Sequence, residues 1–255
     1  MRIFLLVCLA FLVVGCSTRQ EALNSRSSFK QIREGARLLA KGNKPLALKA
    51  FDRAVAGSSD RDVYLAVIGL LVQEDMYRES MPYIRRAIAI PDIDGRFRIV
   101  DSELHTVLGD CSWKVGDFAQ AEAAYREAIR LNKDNATAYN DWGYMLAESN
   151  QQLDKALELT RKAVALQPRN GMILDSLGWA YFQKGDAVKA VEYLKKAAQL
   201  CHSDTEVRFH YARALDAVGD YKTALVEYHK VLKLSPSNTT AKKRIRTLSP
   251  KNTSK

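Results

Sequence analysis

The side chains able to do chemistry in this chain are few and badly spaced for it. Its four histidines stand at His105, His202, His210 and His229. A zinc site of the His-Glu-x-x-His kind needs two imidazoles one helical turn apart, and no pair has that spacing. A Gly-x-Ser-x-Gly nucleophile elbow and a Gly-rich phosphate loop are missing as well. Acidic residues are numerous but scattered over solvating positions. The sequence therefore predicts a protein that is not an enzyme, with no catalytic residues, no metal and no cofactor. Of the four cysteines, Cys16 has the most telling setting. It follows Gly15 at the end of an unbroken apolar run, Ile3 to Val14, which is headed by Met1 and Arg2. That run is too short to span a bilayer, which takes about 20 residues. It suits the core of a secretory signal peptide.

The elements that would position any functional group come from a recurring phrase: alanine, three residues, a larger residue, two residues, alanine. It reads Ala47, Phe51, Ala54; then Ala121, Tyr125, Ala128; Ala156, Thr160, Ala163; Ala190, Leu194, Ala197; and Ala224, Tyr228, Val231. From Ala121 the steps are 35, 34 and 34 residues. Positions three and four apart share a helix face, so each phrase is a narrow stripe of small side chains that lets another helix approach closely. About a dozen residues upstream a small residue follows an apolar one: Leu108 and Gly109, Trp142 and Gly143, Leu177 and Gly178, Tyr211 and Ala212. Those are the partner helices. Gly42, Gly116, Asn150, Gly185 and Gly219 stand between the two helices of a pair, and Pro168 and Pro236 follow the second. Units this small cannot bury an apolar face alone and must stack.

On these residues the chain resembles the tetratricopeptide repeat (TPR) family, whose unit is a 34-residue helix-turn-helix. The resemblance implies an all-α fold, a right-handed superhelical solenoid of about six units at 28–61, 62–94, 102–135, 136–170, 171–204 and 205–238. Two departures stand out. Pro82 falls inside the stripe of the second unit, where it is expected to kink the helix. Gly95 to Asp101 are extra, to be absorbed by a longer helix or a short loop. Residues 239–255 read as a basic capping helix and tail, with Ala241, Ile245 and Leu248 on one face.

Leu12-Val13-Val14-Gly15-Cys16 is similar to the lipobox of bacterial lipoproteins. That likeness implies cleavage before Cys16, acylation of its thiol and of the new amino terminus, and a stable membrane anchor. Ser17 after the cysteine implies the outer membrane of a two-membrane bacterium, with the protein facing the periplasm. The expected organisation is thus a signal peptide at 1–15, an acylated tether at 16–27, the solenoid at 28–238 and the cap at 239–255. The tether has too little apolar surface to pack.

The positive charge belongs to the tail more than to the scaffold. The chain carries +10, or +9 without Arg2, and Lys242, Lys243, Arg244, Arg246, Lys251 and Lys255 supply six of those. The tail is a solvated cap or a weak contact with anionic lipid or wall polymer; nucleic acid is disfavoured by the export signal. Cys111 and Cys201 lie two units apart, too far for a disulfide, and read as small buried apolar residues.

In the family the first helices line a concave face, and unit positions two, five, nine and twelve reach ligand. Carried over, the resemblance implies a ligand groove of Asp110, Trp113, Asn140, Tyr144, Asp175, Trp179, Phe182, Phe209 and Arg213. Trp142, Trp179 and Phe182 could instead fill gaps between neighbouring first helices. The family's lysine and asparagine clamp for a terminal carboxylate is not expected, because Asn140, Asp141, Ser176, Glu206 and His210 stand at those places. The function expected is an envelope adaptor that holds a peptide or protein, or alternatively a structural subunit of an outer-membrane assembly, similar to a pilotin, that binds through its outer surface.

Overall fold

The computed structural model describes residues 19–92, 95 and 97–249; Cys16, Lys251 and Lys255 lie outside them. The described residues form thirteen α-helices and no strand. They are α1 (Arg19–Ala40), α2 (Lys44–Val55), α3 (Arg61–Gln73), α4 (Tyr77–Ile88), α5 (Arg98–Lys114), α6 (Phe118–Leu131), α7 (Ala136–Glu148), α8 (Leu153–Leu166), α9 (Gly171–Gln183), α10 (Ala187–Leu200), α11 (Thr205–Ala217), α12 (Tyr221–Leu234) and α13 (Thr239–Leu248). They group into two compact units that divide after Lys133. No described helix is long and apolar enough to cross a membrane.

The expected pairs are present within each unit. Consecutive helices α1 and α2, α5 and α6, α7 and α8, α9 and α10, and α11 and α12 pack most extensively. The reason is visible at the small residues. A Cβ on Gly178 would stand 2.6 Å from Leu194 Cγ, and one on Gly109 would stand 2.6 Å from the Tyr125 ring. The stripe alanines Ala121, Ala128, Ala156, Ala163, Ala190, Ala197 and Ala224 are all fully buried. Between paired helices Gly185 adopts φ 89° and Asn150 takes the same left-handed role at φ 54°. Side chains of Asn43, Asp117, Asp186 and Asp220 accept a hydrogen bond from the first turn of each following helix.

The first unit differs from expectation at its start. Helix α1 begins at Arg19, so residues read as tether already have helical backbone. Their polar, charged composition is compatible with a helix even where it offers no apolar surface. Helix α4 runs through Pro82. Pro82 is exposed, while Tyr83, Ile84 and Ala87 still bury the inner face. The extra residues are absorbed by a long α5 of 17 residues and by a pin. Arg61 is buried; it donates to Asp101 and to the Ile90 carbonyl, and its guanidinium lies 4.4 Å over the Phe97 ring.

The second unit ends in α13, which packs on α12. Ala241 is buried, and Arg244 is bound at two points to Asp216 of α11, each at 2.6 Å. Cys111 is a buried thiol, with burial pushing its pKa up to about 11. Cys201 is only half-buried, because it sits at the end of α10 instead of inside a stripe.

Candidate functional site

Within the second unit, α7, α9 and α11 are the first helices of successive pairs, and their side chains converge. The Trp179 indole lies against the His210 imidazole, with centroids 4.0 Å apart and planes 15° from parallel. Phe182 stacks on the same indole at 5.0 Å. The Arg213 guanidinium covers this group, 5.0 Å from Trp179, 4.8 Å from Phe182 and 5.9 Å from Phe209. One cation over three rings is held in place by their quadrupoles.

Hydrogen bonds tie the aromatic group to all three helices. Trp179 Nε1 donates to Glu148 at 2.8 Å, and Tyr144 Oη donates to Glu206 at 2.5 Å. The second joins α7 to α11, past the intervening α9. Beneath them His210 Nδ1 lies 3.1 Å from both Asp175 carboxylate oxygens, and both residues are buried. Burial alone would push His210 down. Asp175 outweighs it, aided by Glu206 and Glu148, so the imidazole pKa is raised. The Tyr144 hydroxyl is also held up, first by burial and then by Glu206.

The nine residues of the expected groove fall into distinct roles. Tyr144, Phe182, Phe209 and Arg213 are half-buried and present surface. Asn140, Asp175 and Trp179 are buried, at 2%, 2% and 3% exposure. They brace the site from below, because neighbouring first helices pack closely enough to cover them. Trp142, at 5%, is a gap filler, with Lys155 Nζ 4.0 Å from its ring centroid. Asn140 donates to Asp141 at 2.8 Å. Asp110 and Trp113 belong to the other compact unit. Asp110 accepts from the buried Tyr125 hydroxyl at 2.6 Å, tying α5 to α6, and Trp113 lies beneath Lys114 Nζ at 4.8 Å.

Three side chains that contact Trp179 or Tyr144 fall outside the expected set: Glu148, Glu206 and His210. Glu206 occupies position two of its unit and is reachable by the spacing rule that finds Phe209 and Arg213. His210 and Glu148 occupy positions six and thirteen, off that rule. Only the offset of 35 residues between Asp175 and His210, close to the repeat length, hints at their pairing.

The family profile described as Tetratricopeptide repeat matches residues 80–237, more than half of the chain. The chain belongs to the tetratricopeptide repeat family, whose repeats bind peptides or proteins and which is generally non-enzymatic. A TPR repeat-containing protein of Pseudomonas aeruginosa is 40% identical over 97 residues, 38% of this chain and 16% of the relative. The mitochondrial import receptor subunit TOM70 of Rattus norvegicus is 33% identical over 95 residues, 37% of this chain and 16% of that protein. The chain thus spans a small fraction of these relatives' length. Among solved structures, the Cut9-Hcn1 hetero-tetramer of the APC/C has a TM-score of 0.70 at 13% identity, covering 98% of this chain and 46% of that one. MamA of Desulfovibrio magneticus has 0.55 at 21% identity, covering 70% and 97%. At such identities these structures share the fold.

Proposed function

We propose that this chain is a lipid-anchored adaptor of the bacterial cell envelope, which binds a peptide or protein segment on the first-helix face of its second unit. One observation carries the binding surface. Arg213 stands over Trp179, Phe182 and Phe209, with Glu148 and Glu206 exposed beside it. A preorganised guanidinium beside the half-buried Phe182 and Phe209, braced by the buried Trp179, buries area at little cost in side-chain freedom, as binding hot spots do. Anchoring rests on the apolar run ending in Gly15 and Cys16, and an outer-membrane position facing the periplasm rests on Ser17. The likeness to an import receptor subunit supports a receptor-like role.

A second reading is favoured by the Tyr144 to Glu206 hydrogen bond, which crosses from α7 to α11 and occupies part of the same face. Under it the chain is a structural subunit that binds through its second helices, with the first-helix face serving only stacking. Crosslinking in cells separates the two. The Phe209→Ala, Arg213→Glu double variant should lose the adduct while its helical signal persists; an unchanged adduct on that variant overturns the groove reading.

A further inference from the structure

The α1 helix carries a charge pattern that repeat packing does not use. Lys30, Arg33, Arg37 and Lys41 follow one another at intervals of three, four and four residues, which puts them on one face of α1 and its exit turn. All four are exposed, whereas Ile32, Gly35 and Leu39 are buried on the opposite side. Lys44, Lys49 and Arg53 of α2 are exposed as well, and the only acidic residues from 27 to 56 are Glu34 and Asp52. Arg53 is engaged by Gln31 and Glu34. Lys30, Arg33, Arg37, Lys41, Lys44 and Lys49 form no ion pair with another described residue. Stacking does not require such a stripe: the first helices α7 and α9 carry no lysine or arginine.

We infer that the exposed face of α1, with the turn into α2, lies against an anionic phospholipid surface. Three features select that partner over an acidic protein. The stripe is straight and about 17 Å long at 1.5 Å per residue, so it fits a plane of headgroups. Its cations are long side chains exposed along one helix face, and Phe29 beside them is an apolar side chain 36% exposed. The third feature is continuity, and it rests on the lipid-anchor reading: Cys16 stands just ahead of Arg19, so an acylated terminus would deliver α1 to the headgroups first. The stripe would then fix how the first unit lies on the membrane.

The full chain, purified in detergent, is reconstituted into vesicles of phosphatidylcholine alone or mixed with phosphatidylglycerol, and lysine acetylation rates are read by mass spectrometry. Lys30, Lys41 and Lys44 should be protected by about threefold or more in the anionic vesicles alone, and about 0.5 M salt should remove the protection. Lys162 of α8 and Lys195 of α10, both exposed, are the internal reference. An Arg33→Gln, Arg37→Gln variant should weaken protection at Lys30. Equal rates in both vesicles, or protection that survives salt and both substitutions, overturns the inference. The mass of the amino-terminal peptide scores the anchor separately. Protection without acylation overturns the anchor and leaves the stripe, and acylation without protection does the reverse.

Discussion

The indole of Trp179 on α9 lies 4.0 Å from the imidazole of His210 and 5.0 Å from the guanidinium of Arg213, both from α11. The same indole donates from Nε1 to Glu148 of α7. One side chain therefore joins three successive first helices, through a stack, a cation and a hydrogen bond. Trp179→Ala should cost about 3–5 kcal/mol, the range for emptying a buried tryptophan site. Trp179→Phe should recover part of that, because it keeps the stack and loses the bond to Glu148. Denaturant unfolding of the two variants checks the order.

The ion pair beneath the indole makes stability depend on pH. His210 has a raised pKa in the folded chain and an ordinary value of 6.5. Above 6.5 the folded chain keeps a proton that the unfolded chain has released, so raising the pH favours unfolding. The stabilisation is complete below 6.5 and is lost as pH rises through the folded value. Melting temperature should fall across that interval, and His210→Gln should flatten the fall. A wild-type melting temperature that rises there would contradict the assignment.

The small residues of the first helices are legible in the sequence, and their reason is now specific. A Cβ added at position 178 would come within 2.6 Å of Leu194 Cγ, so Gly178→Ala forces a backbone or side-chain shift. A loss of about 1–3 kcal/mol is expected from overpacking. A second substitution, Leu194→Ala, should relieve the clash, so the double variant should be less destabilised than the two single losses summed. Strict additivity would show that the two sites do not meet.

In the first unit, Arg61 binds Asp101, the Ile90 carbonyl and the Phe97 ring at once. Arg61→Leu removes all three and leaves Asp101, with 16% of its side chain exposed, without its cation. A loss of about 3 kcal/mol follows from breaking one side of a buried pair. Hydrogen exchange should rise at residues 89–101 more than in α6, where the substituted side chain makes no bond.

The repeat, its period and its helix pairing are readable because they depend on spacing alone: an alanine stripe at Ala190, Leu194 and Ala197 has one use. The site is only half readable. Phe209 and Arg213 follow from unit position, but which aromatic presents surface and which braces depends on how closely adjacent first helices approach. That distance is set by three-dimensional packing, which is why Trp179 is buried and Tyr144 is not. His210 is invisible in the sequence as a partner of Asp175, since the pairing crosses helices at an offset one residue away from the unit period. Pro82 stands on an exposed face, where water can satisfy what the proline leaves unbonded, and α4 continues past it.

The most direct measurement places a photo-crosslinking amino acid at Phe209 on α11 or at His229, exposed on α12, and compares the adducts formed in cells. Binding on the first-helix face predicts a discrete partner adduct from position 209 and none from 229. An adduct from 229 alone would contradict that account and put the partner on the second helices.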